Sequence, residues 1–74
     1  YAEWKREISF YTEQLRKRPR DSDAYYFRGA LNLELGTGEQ AAADFQKAIA
    51  LYPEFWGKYL PALIQQAKTR IQSR

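Results

Sequence analysis

The sequence predicts an all-α chain built from antiparallel helical hairpins, about four helices in all. Three observations carry that prediction. Large apolar residues recur at spacings of three and four in four separate stretches, the period of one helix face. Pro19 and Pro53 punctuate the chain 34 residues apart, and proline is poorly tolerated inside helices. Between them, Gly36-Thr37-Gly38 forms a connection too short for anything but an antiparallel helical pair.

The first helix is expected from about Ala2 to Lys17, with Trp4, Ile8, Tyr11 and Leu15 on one stripe. Arg16, Lys17 and Arg18 close it, and cations in a last turn are favoured by the helix dipole without any ligand. Asp21 or Ser22 can cap a second helix, from about Asp23 to Leu35, which Gly36 ends by supplying a positive φ. A third helix follows from about Glu39 to Leu51, with Ala41, Phe45, Ala48, Ile49 and Tyr52 on one face, and Pro53 stops it. The fourth is expected from near Phe55 to Ile71, carrying Tyr59, Leu60, Leu63, Ile64, Ala67 and Ile71. Pro61 is tolerated only in a first turn, which moves the regular part of that helix to about Lys58 or Tyr59. In domain terms the chain reads as one unit: a segment 1–19, a complete hairpin 22–53 and a terminal helix 55–74.

Composition limits the function classes. At 74 residues the chain buries only about 60 % of its unfolded surface, so its core is thin. With 45 % hydrophobic and 16 % aromatic residues it is too apolar to stay disordered and builds its core from rings. It has no cysteine, which fits a reducing compartment such as the cytoplasm without establishing one. No apolar run reaches the roughly 18 residues that span a bilayer, so no membrane insertion is expected. Opening on Tyr1 rather than methionine fits a domain of a longer protein.

Catalysis is not expected. There is no histidine and no cysteine, so the commonest general base, metal ligands and thiol nucleophile are missing, and no metal or cofactor is implied. Glu3 and Glu7 lie one turn apart but among Lys5 and Arg6, on what reads as a solvated face. Gly36-Thr37-Gly38 lacks the lysine and the strand of a phosphate loop. The net charge is +3, with basic ends: residues 1–20 carry six Lys/Arg against three Glu, whereas the middle holds Asp21, Asp23, Glu34, Glu39 and Asp44 against Arg28 and Lys47. Tyr1, Trp4, Lys5 and Arg6 interleave rings with cations, but these rings fit the apolar stripe better than a base-stacking platform.

The stretch AYYFRGALNLELGTGEQAAADFQKAIALYP, from Ala24 to Pro53, resembles a tetratricopeptide repeat. Tyr25 matches the aromatic that opens helix A, Gly29 the small contact residue, Gly36 the turn, Ala41 and Ala48 the small positions of helix B, Phe45 its aromatic and Pro53 the closing proline. Glycine inside a helix costs about 1 kcal/mol relative to alanine, so Gly29 points to a close helix crossing, expected opposite Ala41. Shifted back by 34 residues, the first helix looks like the B helix of a preceding repeat, although Glu7 stands where the family has alanine. Shifted forward, the last looks like an A helix or a capping helix. Asn32 and Gly38 depart from the pattern and are expected to thin the packing against neighbouring helices.

The resemblance implies a fragment of a right-handed superhelix and a non-catalytic protein-interaction role in scaffolding or assembly. Its groove would be lined on the matched helix by Asp23, Tyr26, Phe27, Ala30, Leu33 and Glu34. The groove lacks the Lys, Arg and Asn that hold the carboxylate ends of chaperone peptides, and its two acids would repel such a ligand. A protein or peptide partner of apolar or basic character is therefore expected. The alternative is a structural solenoid segment, or a homo-oligomer of stacked copies, because repeat units need neighbours to bury their faces. The basic cluster Arg16, Lys17, Arg18 and Arg20 is expected to have no nucleic-acid ligand. Labelled oligonucleotides, single- and double-stranded, should bind no tighter than roughly micromolar at physiological salt, and tighter binding would overturn that reading.

Overall fold

The computed structural model describes residues 2–72, which are helical apart from short turns and contain no strand. Helix α1 spans Ala2–Lys17, α2 Ser22–Leu35, α3 Gly38–Leu51, α4 Pro53–Trp56 and α5 Leu60–Gln72. Local chemistry explains each boundary. Asp21 caps α2, its carboxylate accepting from the Ala24 N–H at 3.2 Å. Gly36 ends α2 at φ 86°; its N–H donates to Leu33 O at 3.2 Å and that of Thr37 to Asn32 O at 2.9 Å, the paired bonds of a Schellman motif.

The single fourth helix expected from Phe55 is instead two elements, so the described residues form five helices rather than about four. Pro53, barred from extending α3, opens the single turn α4, which closes with the Gly57 N–H on Pro53 O at 2.9 Å. Pro61 then sits in the first turn of α5. Inside a continuous helix its ring would meet the carbonyl four residues back and would remove a backbone bond, so the chain breaks at Gly57 to Tyr59 and restarts at Leu60. The expected stripe of this helix holds over Leu60, Leu63, Ile64 and Ala67; the side chain of Ile71 lies outside the described residues, as does Tyr1.

The helices pack in a row, α1 on α2, α2 on α3 and α3 on α5, with α4 against α3. The result is a slab whose Cα atoms extend 34 × 32 × 13 Å. Its core, between α2, α3, α4 and α5, holds Leu33, Ala41, Ala42, Phe45, Ala48, Trp56, Leu60 and Ala67. Phe45 and Leu60 are its largest fully buried side chains. Tyr25 is half-buried against this core. Helix α1 lies outside it, and its apolar stripe is buried only at the end near α2, at Leu15, opening to 36 % exposure at Trp4. No described helix is long and apolar enough to cross a membrane.

Gly29 does mark the close crossing, but the side chains nearest to it are those of Phe45 and Asp44 rather than Ala41. A Cβ on Gly29 would stand 2.7 and 2.8 Å from two ring carbons of Phe45 and 3.2 Å from the Asp44 Cβ, one turn further along α3. The physical reason is volume: the smallest residue of α2 is needed opposite the largest side chain of α3, not opposite an alanine. Ala41 is fully buried in the same core as Leu33. Gly29→Ala should gain about 1 kcal/mol of helix propensity yet lose roughly 1–3 kcal/mol to overpacking, because a fully buried Phe45 has nowhere to go. Urea unfolding should therefore show no stabilisation from Gly29→Ala and a larger loss from Gly29→Leu; a Gly29→Leu protein as stable as the parent would refute the register.

Candidate interaction surface

Two side-chain systems are built on this row of helices, one polar and buried, the other aromatic and open. The polar system begins at Asp44 on α3. Its carboxylate accepts from Arg28 Nε at 3.0 Å and Nη2 at 2.7 Å, a bidentate pair, and from Asn32 Nδ2 at 3.3 Å. Asn32 in turn accepts from the Thr37 hydroxyl at 2.9 Å, and Arg28 Nη1 donates to the Thr12 hydroxyl of α1 at 3.2 Å. Asp44 and Asn32 are both buried. The hydrogen bonds that Arg28 donates to Asp44 hold its guanidinium above its ordinary pKa, against the opposing effect of burial, so Arg28 stays charged throughout the working pH range. Asn32 thus enters a satisfied network, and an open depression of about 300 Å³ remains beside it, lined by Ile8, Thr12, Gln40 and Ala43 among others. This network, which sequence periodicity does not signal, fastens α1 to the α2–α3 hairpin.

On the exposed end of α1, Arg16 bonds Glu13 and lowers the Glu13 pKa. At least this member of the basic cluster therefore has an intramolecular partner.

The aromatic system crosses the slab. Phe10 meets Tyr11 edge-on at 5.2 Å, and Tyr11 stacks on Phe27 at 5.5 Å, which carries the stripe from α1 to α2. Phe27 contacts Tyr26 at 5.3 Å, and Tyr26 stacks on Trp56 of α4 at 4.8 Å with the planes 18° apart. Trp56 meets Phe55 at 4.7 Å, and Phe55 lies 5.6 Å from Tyr59 and 5.9 Å from Tyr52. Tyr26 and Trp56 anchor the stripe in the core, whereas Phe10, Phe27, Tyr52, Phe55 and Tyr59 are each about half exposed. Such rings fit aromatic pair geometry and still offer open faces. Between α1 and α2 the stripe borders an open groove of about 220 Å³ lined by Glu7, Tyr11, Phe27, Ala30, Leu31 and Glu34.

Of the six residues expected to line a groove, Phe27, Ala30 and Glu34 line this one. Tyr26 belongs to the stripe but is half-buried on Phe45 and Trp56. Asp23 is exposed on α2, outside the lining. Leu33 is misplaced by the expectation: it is 6 % exposed and part of the core. The error has a geometric cause, since α2 is covered by α3 on one side and α1 on another, so its free arc is narrower than half a helix. Sequence reasoning missed Glu7, Tyr11 and Leu31 in the lining and the α4 rings; the clustering of Tyr52, Phe55, Trp56 and Tyr59 around Pro53 was the available signal.

Compared with known proteins, the chain matches no family model, no curated protein and no solved structure at a significant level.

The polar network makes its own prediction. Asp44→Ala strands Arg28 and Asn32 without their shared acceptor and should cost roughly 3 kcal/mol or more, as breaking a buried pair does. The double variant Arg28→Met/Asp44→Leu, which removes both charges and keeps volume, should recover most of that loss in urea unfolding. Equal destabilisation of the single and double variants would show that the network, rather than the space it fills, carries the stability.

Proposed function

We propose that the chain is a non-catalytic protein-interaction module of the tetratricopeptide type, serving scaffolding or assembly, with the aromatic stripe and the adjoining α1–α2 groove as its binding surface. The observation that carries this reading is the row of half-exposed rings running across three helices. Aromatic rings seated on a rigid base are the side chains that supply most affinity at protein interfaces. The tetratricopeptide resemblance is supported by the α2–α3 hairpin, in which Gly29, Gly36, Ala41, Phe45, Ala48 and Pro53 serve the close contact, the turn, the core and the helix stop.

The chemistry of the partner follows from the groove. Its centre is apolar and its acids are Glu7 and Glu34, neither of which pairs with a cation among the described residues. An apolar segment with a basic residue complements that surface, and a free carboxylate does not. Self-stacking of copies, through the open face of α5 that carries Ala62, Gln65, Gln66 and Thr69, is the alternative reading.

Two measurements test the proposal together. Light scattering should give a monomer mass across a wide concentration range. Phe27→Ala should shift stability by less than about 1 kcal/mol, whereas Leu33→Ala should cost roughly 2–5 kcal/mol as a core truncation. The Phe27 variant should lose partner binding with its fold intact. A dimer that Phe27→Ala dissociates would establish self-association instead, and unaltered partner binding would remove the stripe from the interface.

A further inference from the structure

The aromatic stripe differs from an ordinary apolar groove in its direction. Its ring-to-ring steps lead from α1 to α2 to α4, across the row of helices rather than along one of them. A partner helix, about 10–12 Å wide, seats itself in a furrow between two helices and would touch only part of such a row. A chain lying across the helices meets successive rings, each 4.7 to 5.6 Å from the next along the main path.

Resting on the interaction-module reading, we propose that this stripe binds a proline-rich segment in the polyproline II conformation, with a basic residue placed over the α1–α2 groove. Three observations select this occupant. Proline rings are flat, apolar and stiff, and stacked or edge-on aromatic rings form the shallow clefts that such segments dock into. The polyproline II backbone has no internal hydrogen bonds, so its carbonyls need donors. The stripe supplies them in the hydroxyls of Tyr11, Tyr26, Tyr52 and Tyr59, none of which bonds another described residue. Finally, Glu7 and Glu34 line the groove beside Tyr11 and Phe27, so the charge at one end of the stripe complements an arginine or lysine in the ligand. At about 3.1 Å per residue, a segment of roughly eight to ten residues would follow the rings from Phe10 to Tyr59.

The ligand's rigidity matters energetically. A polyproline II segment has little conformational freedom to lose on binding, and the rings are already held in place by Phe45 and Trp56. Weak individual ring contacts can then add up on a thin domain that has no deep pocket.

The test uses the full 74-residue chain, labelled for two-dimensional NMR, with three peptide probes. One is an oligoproline with an arginine at each end; the second replaces the prolines by glycine and serine and keeps both arginines; the third is an amphipathic leucine–lysine helix. The oligoproline should shift the resonances of Tyr26, Phe27 and Phe55 and bind at least ten-fold tighter than the glycine–serine peptide. Phe55→Ser, at an exposed ring, should weaken it at least five-fold without changing the melting temperature, and Glu34→Gln should weaken both arginine-bearing peptides. Equal binding of the first two peptides would reduce the site to charge alone and overturn the proposal. A helix that binds the stripe more tightly than the oligoproline would also overturn it while leaving the interaction-module reading in place. If none of the three probes shifts the stripe, both readings fail.

Discussion

At Gly29, α2 lies so close to α3 that an added Cβ would stand 2.7 Å from the ring of Phe45. That approach fixes the hairpin, and the hairpin fixes everything else. It brings Asp44 within reach of Arg28 and Asn32, so the polar network forms only in this register. It also seals Phe45 completely, giving Tyr26 a base to lean on at 6.2 Å, and Tyr26 in turn carries Trp56. The half-exposed rings on either side are therefore continuous with a fully buried one. One side effect is that the Trp56 indole N–H is buried without a hydrogen-bond partner among the described residues. An unpaired donor has a cost, and here it accompanies the indole's position between Tyr26 and Phe55.

The shape of the molecule explains why rings remain outside. A row of helices 13 Å thick in Cα extent has no second layer to cover its faces. Its accessible surface of 5194 Å² exceeds the roughly 4,700 Å² typical of a monomer of this mass, so the excess is a property of the architecture. Helix α1 shows the same economy of contact. It joins the hairpin through Leu15, the Tyr11–Phe27 stack and the Thr12–Arg28 hydrogen bond, one apolar, one aromatic and one polar fastening. Polar attachment of a peripheral helix is specific in register because each donor has one acceptor to find, whereas apolar contact tolerates sliding.

Much of the fold was legible in the sequence because it rests on local chemistry. Proline at Pro53, glycine at Gly36 and aspartate at Asp21 act within a turn of themselves, so α1, α2 and α3 are found within a residue or so of expectation. Long-range facts were less legible. Which residue of α3 faces Gly29 depends on the rotation of both helices, and periodicity assigns a face without assigning an opposite number. The same ambiguity put Leu33 on the open side of α2, where α3 in fact covers it. Asp44 reads singly as one of the acids of the middle segment and Asn32 as a packing defect, and only their juxtaposition in space makes them a network. The ring stripe draws on helices far apart in the chain, so Tyr11, Phe27 and Trp56 gave no joint signal in one dimension.

One buried ring, Phe45, organises a row of ordered rings that remain open to solvent. Nuclear Overhauser measurements on the free protein in the presence of a soluble paramagnetic relaxation agent address order and exposure at once. Cross-peaks are predicted between the ring protons of Tyr11 and Phe27 and between those of Tyr26 and Trp56, together with strong relaxation at Phe10, Phe55 and Tyr59 and almost none at Phe45. Missing cross-peaks between those ring pairs, or relaxation as strong at Phe45 as at Tyr59, would contradict the account.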